Sequence, residues 1–190
     1  MLQSRDIPNI ITIFRIFLAI PVVWALLNDH FGIALIMFII AGVSDGVDGF
    51  LAKHFHWQSR LGSLLDPLAD KLLLVSCYLS LGWLGMVPWW LIAVIILRDL
   101  LIVGGATYWD LKVERLEAEP TIISKINTFV QIVLVVSVVA DQVFHFLPDG
   151  SMVALIWITF ATTVSSGADY VWVWSKRAQQ ATHGKGNIGG

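Results

Sequence analysis

Residues 44–71 read "SDGVDGFLAKHFHWQSRLGSLLDPLADK", a polar island in a chain that is apolar on either side of it. Four aspartates, Asp45, Asp48, Asp66 and Asp70, punctuate it at intervals of three and four residues. An α-helix turns by about 100° and rises by about 1.5 Å per residue, so Asp45 and Asp48 fall on one helix face, as do Asp66 and Asp70. Gly62, Asp66 and Asp70 form an i, i+4, i+8 stripe on the later helix. The eight residues from His54 to Leu61 link the two helices, which predicts an antiparallel hairpin with its carboxylate pairs facing each other. Four carboxylates placed in this way repel one another and are driven towards protonation unless cations neutralise them. Hard oxygen donors in a small cluster suit Mg²⁺ or Mn²⁺, and two such ions can clamp a phosphate undergoing displacement. Gly46, Gly49 and Gly62 remove side chains beside the carboxylates and open the backbone to a bulky ligand. A lone aspartate at a helix end is usually a cap or a solvated terminus. Four in this register, flanked by glycines, are not accounted for in that way.

The flanks set the solvent. Of 190 residues 57% are hydrophobic and 14% charged, with a mean hydropathy of +0.77, whereas soluble domains carry about 25% charged residues. The apolar residues come in long blocks, not in alternation, so the prediction is an all-α integral membrane protein. Six transmembrane helices are expected, at roughly 8–28, 31–54, 62–86, 88–110, 123–146 and 151–175. Nine Trp fit a chain with two bilayer interfaces. No fixed-period repeat or linker divides the chain, so a single catalytic domain is expected over 1–176, followed by a short polar, disordered tail at 177–190. Cys77 is the single cysteine, which excludes an internal disulfide framework. The net charge of −2 gives no basis for a nucleic-acid partner.

Basic residues set the orientation. With the N-terminus in the cytoplasm, Arg5, Lys53, Arg60, Lys112, Arg115, Lys125, Lys176, Arg177 and Lys185 all fall inside, and the outer turns at 28–30, 85–88 and 147–150 contain neither Lys nor Arg. Both termini are therefore expected to be cytoplasmic. The opening "MLQSRDIPNIITIFR" has neither a signal-peptide cleavage site nor the character of a transit peptide, so a bacterial plasma (inner) membrane is the expected location. Arg15, Lys71 and Arg98 lie within the expected spans. An ionised side chain at mid-bilayer costs about 2.5–3.5 kcal/mol on insertion scales, so each should face a partner or a polar cavity. Arg15 should meet an anion or else snorkel to the interface. An ion transporter could also use buried carboxylates, but broken helices and an internal repeat are not visible here. A membrane prenyltransferase would need more helices and two separated aspartate-rich motifs. Asp141 and Asp169 receive no role from the sequence.

The gapped pattern D-x-x-D-G-x-x-A-R-x8-G-x3-D-x3-D identifies the CDP-alcohol phosphatidyltransferases, and this chain resembles them over most of residues 7–175. The pattern is met by Asp45, Asp48, Gly49, Ala52, Gly62, Asp66 and Asp70 at every spacing, with Lys53 where the family has Arg. Lysine keeps the charge there but loses the bidentate fork. The resemblance implies a six-helix membrane enzyme, a homodimer with a polar cavity open to the cytoplasm, that binds CDP-diacylglycerol on two metal ions, Mg²⁺ or Mn²⁺. It implies that Asp45, Asp48 and Asp66 are metal ligands, and that Asp70 is both a ligand and the general base. Gly49, Ala52, Lys53 and Gly62 would hold the nucleotide lipid; Asn9, Thr12, Arg15, Arg98 and Lys125 would bind the acceptor or its phosphate. The chain is most similar to the mitochondrial-type, cardiolipin-forming branch. Like that branch it has Arg98-Asp99 on the fourth helix, "SK-N" at 124–127 and a "TFATTVSSGADY"-like sixth helix. Phosphatidylglycerophosphate synthases are next, but they place a second arginine where this chain has Ala106. The expected reaction is transfer of a phosphatidyl group to phosphatidylglycerol with release of CMP; glycerol-3-phosphate is the alternative acceptor, and carboxylate-dependent ion transport a remote alternative.

Overall fold

The structure, a computed structural model, describes the backbone of residues 7–54, 62–112 and 121–185, and the side chains of 13–44, 71–105 and 121–173. Six helices follow one another: α1 (Ile7–Leu27), α2 (Phe31–His54), α3 (Gly62–Trp83), α4 (Trp89–Lys112), α5 (Ile122–Phe144) and α6 (Ser151–Lys185). No strand occurs among the described residues.

Turn chemistry fixes the helix ends. At the end of α1, Asp29 adopts a left-handed φ of 61°, and the His30 amide donates to the Ala25 carbonyl at 2.8 Å. At the end of α3, Gly85 has a φ of 74°, and the Met86 amide donates to the Leu81 carbonyl at 2.9 Å. Both are left-handed caps that satisfy otherwise orphaned carbonyls. The second stops α3 at Trp83, three residues short of the span expected to reach 86. At the other extreme, α6 runs on to Lys185, through the first part of the tail expected to be disordered. Ala178, Gln179, Gln180 and Ala181 are good helix formers, and no proline or glycine interrupts them before Gly184.

Among the described residues many large apolar side chains face outward, and several polar ones are buried. Phe17 and Ile20 are 63% and 67% exposed, and Trp24, Ile36, Leu97, Leu100 and Phe129 are also exposed. Arg15, Arg98, Asp99, Asn127, Gln131, Thr159, Thr163 and Ser166 are buried. An apolar exterior around a partly polar interior is what lipid, not water, selects. Ile122–Phe144 and Ser151–Val173 each have the length and composition to cross a bilayer. Shorter apolar stretches, Ile13–Leu27, Phe31–Ser44 and Lys71–Trp83, occur in α1, α2 and α3 among the described residues.

The contacts divide the chain into two compact units, Met1–Pro88 with Val135–Asp149, and Trp89–Leu134 with Gly150–Gly190. In the first, α1 packs against both α2 and α3. Leu18, Val22, Ala25 and Leu26 recur at helical spacing as its buried face, with Cys77, Tyr78 and Leu81 of α3 also in the core. In the second unit, α4 packs against α6.

Candidate active site

The aspartates stand on continuous helix. Asp45 and Asp48 lie in the second half of α2, and Asp66 and Asp70 in the first turns of α3. The helical backbone spaces the α2 pair by about 4.5 Å of rise and 60° of rotation, and the α3 pair by about 6 Å and 40°. Both helices pack on α1. The side chains of the four aspartates, and of Asn9, Thr12, Gly49, Ala52, Lys53, Gly62 and Ala106, lie outside the described residues. As a donor set, four carboxylates in this register fit a hard divalent cation. Among the described side chains no group of three or more His, Cys, Asp or Glu could hold a metal.

Arg15 lies on the buried face of α1, in register with Leu18 and Val22, and is only 1% exposed. Protein encloses it, which disposes of snorkelling as its explanation.

Arg98 is the hub of a second polar cluster, within the unit that contains α4 and α6. It is 4% exposed and surrounded by oxygen. Its Nη1 donates to Asp99 Oδ1 at 2.8 Å. Its Nη2 donates to Ser124 Oγ on α5 at 2.7 Å and to Ser166 Oγ on α6. Three residues along α5, Asn127 Oδ1 accepts from Thr163 Oγ1 of α6 at 3.0 Å. Lys125, also expected to bind the acceptor or its phosphate, is exposed; its neighbour Ser124 contacts Arg98. Gly167 faces the stem of Arg98, and a Cβ there would lie 3.7 Å from Arg98 Cγ, in ordinary contact. Sequence reasoning singled out Arg98 but not Ser124, Thr163 or Ser166. The three-residue spacing of the α5 pair 124 and 127 and of the α6 pair 163 and 166 puts each pair on one helix face, but does not say which helix that face meets.

The two unassigned aspartates now have surroundings. Asp141 Oδ1 accepts from the Leu147 amide at 3.0 Å, which ties down the turn after α5. Asp169 has a buried Oδ2 with no hydrogen-bond partner among the described residues. Trp90 packs with Trp157 and edge-on to Phe160, with centroids 5.7 and 5.5 Å away.

Tyr170 fastens α6 to α4: its hydroxyl donates to the Ile102 carbonyl at 2.9 Å. Gly105, one turn on, leaves room for it, since a Cβ there would stand 3.0 Å from that hydroxyl. Tyr170→Phe and Gly105→Ala are each expected to destabilise the chain by about 1 kcal/mol, the net worth of such a bond. The double variant should lose little more than the worse single, because both changes act on one contact. Thermal unfolding of the four proteins in detergent checks this; additive losses would mean that Gly105 acts elsewhere.

The family model for CDP-alcohol phosphatidyltransferase matches residues 5–165. The chain is 33% identical to a rat (Rattus norvegicus) cardiolipin synthase (CMP-forming), over 94% of this chain and 64% of the relative. It is 35% identical to the human (Homo sapiens) cardiolipin synthase (CMP-forming), over 86% of this chain and 60% of that protein. A chloroplastic CDP-diacylglycerol–glycerol-3-phosphate 3-phosphatidyltransferase of rice (Oryza sativa subsp. japonica) is 29% identical, over 87% of this chain and 56% of the relative. The chain thus spans under two thirds of the length of these relatives. The match over 5–165 takes in all four aspartates and the Arg98 cluster up to Thr163, and on that ground the chain belongs to the CDP-alcohol phosphatidyltransferase family.

Proposed function

We propose that this chain transfers a phosphatidyl group from CDP-diacylglycerol to the glycerol headgroup of phosphatidylglycerol, forming cardiolipin and releasing CMP. The observation that carries the reading is the aspartate register on α2 and α3, met at every spacing of the family pattern. Asp45, Asp48, Asp66 and Asp70 would hold two divalent cations, Mg²⁺ or Mn²⁺, which when bound supply charge neutralisation for the diphosphate. Gly49, Ala52 and Gly62 leave space for the nucleotide lipid, and Lys53 contributes a positive charge towards its phosphates. Asp70 takes the proton from the attacking hydroxyl. The alcohol oxygen bonds to the phosphatidyl phosphorus, the phosphoanhydride bond to CMP breaks, and CMP leaves with the electron pair. Asn9, Thr12, Arg15, Arg98 and Lys125 are the proposed acceptor-side residues.

In this reading residues 1–176 form the catalytic domain, all six helices cross a bacterial plasma membrane with both termini and the active site cytoplasmic, and the enzyme works as a homodimer. The nine-to-none partition of Lys and Arg supports the orientation. The rice relative favours a second acceptor, glycerol-3-phosphate. Against it stands Ala106, where synthases for that acceptor carry an arginine. A charge-assisted hydrogen bond is worth about 1.5–3 kcal/mol, or about one to two decades of affinity. Purified protein given CDP-diacylglycerol with each acceptor should therefore release CMP and form cardiolipin with phosphatidylglycerol, and turn over little glycerol-3-phosphate. Thin-layer analysis with phosphatidylglycerophosphate as the main product would replace the acceptor, and no CMP release with either would remove the reading.

A further inference from the structure

Arg15 is a cation enclosed by protein on α1, and its level can be followed along the helices packed against it. Val22 and Leu26 of α1 line one small cavity together with Ala34 and Phe38 of α2 and Cys77 of α3. α1 and α2 pack on each other across the short turn at 28–30, so they run antiparallel. The shared cavity therefore sets their register. Eleven residues back from Leu26 along α1 stands Arg15, and eleven residues on from Ala34 along α2 stands Asp45. Both walks descend about 16 Å and return to nearly the same face, since eleven residues make about three turns. Each stripe is continuous: Leu18 and Val22 are buried on the way to Arg15, and Ala34 and Ala41 on the way to Asp45.

α3 reaches the same level. In the alternating spans proposed above it runs parallel to α1, and Asp70 stands seven residues back from Cys77 as Arg15 stands seven back from Val22. The only other acid between residues 7 and 88 is Asp29, fourteen residues from Arg15, or about 21 Å of helix rise. An enclosed guanidinium is tolerated only beside an anion. The aspartates have the complementary need. With two divalent cations and a diphosphate bound, four carboxylates still leave two negative charges, which one cation from α1 and Lys53 would match. We propose that Arg15, set level with Asp45 by the α1–α2 register, is the internal counter-charge of the aspartate set. It is a positioning residue, which acts on the acceptor side through the carboxylates and not by touching substrate. The inference rests on the aspartates being a cation site, but it can be tested without turnover.

Mn²⁺ binding to the full chain in detergent, followed by electron paramagnetic resonance with no lipid substrate added, reads the charge directly. Removing one unit charge about 8–10 Å from a divalent ion, the spacing of packed helices, should tighten Mn²⁺ binding about tenfold in Arg15→Gln. Arg15→Lys keeps the charge and should stay within about threefold of wild type. In EDTA, Arg15→Gln should unfold about 6 °C or more below wild type, as a broken buried pair does in a chain of this size. Adding Asp45→Asn should recover at least half of that loss, because it removes the charge left alone. If Arg15→Gln does not fold by itself, the same double variant should restore folding. Unchanged or weaker Mn²⁺ affinity in Arg15→Gln overturns the proposal, since an arginine kept for a substrate phosphate, or for packing, would give that result. So do additive losses in EDTA, or a double variant that stays unfolded. Unchanged affinity in an enzyme that forms cardiolipin would remove the pairing alone; tightened affinity in a chain that releases no CMP would leave the pairing and remove the proposed reaction.

Discussion

EDTA is expected to abolish CMP release, and Mg²⁺ or Mn²⁺ to restore it. The ground is the charge on α2 and α3: four carboxylates on two helices that share α1 as a packing partner, in a chain whose exterior is apolar. Without cations, such a group would hold protons in place of substrate. Asp66→Asn is expected to be the most damaging single change, because it would remove one of the carboxylate charges that hold the cations from the middle of the Gly62–Asp66–Asp70 stripe of α3. A carboxamide keeps the shape of the side chain and removes the charge, so the loss should appear in turnover with the fold intact. Metal titration of the wild type and Asp66→Asn, followed by CMP release, measures both effects. Substantial activity in chelator would sink the dinuclear assignment, as would substantial activity of Asp66→Asn at saturating metal.

The helices were legible because the apolar blocks are of helix length and polar punctuation marks the turns. "NDH" at 28–30 and "GMVP" at 85–88 became the turns after α1 and α3. Their local caps decided the last residues, and that depends on one left-handed φ at Asp29 and another at Gly85. The aspartate register was legible for a different reason. Its meaning needs only that α2 be helical through Asp48 and α3 from Gly62, and both are. The Arg98 cluster was not legible, because it depends on how α5 and α6 are registered. Ser124 and Ser166 meet through Arg98, and Asn127 meets Thr163 three residues along one helix and three back along the other. No single-helix pattern carries that information. Asp141 was illegible for a similar reason, since its partner is a backbone amide six residues away in a turn.

Asp70→Asn is expected to part binding from chemistry. Asp70 lies two turns into α3, one turn past Asp66 and in line with Gly62. The aspartamide variant retains an oxygen that can face a cation or accept a hydrogen bond, so affinity for CDP-diacylglycerol should change little. It cannot take the proton from the acceptor hydroxyl, since a carboxamide is not a base near neutral pH. A positioned general base contributes about 10²–10⁴-fold, and kcat should fall by that factor. Equilibrium binding of the nucleotide lipid and single-turnover kinetics, on the same preparation, separate the two. If kcat stays within about threefold of wild type, another group or water is the base, because even the low end of the general-base range would be missing. If binding is lost as well, Asp70 acts chiefly by holding charge at the site. Loss of turnover with binding retained would instead place the proton transfer on the last carboxylate of the stretch 44–71.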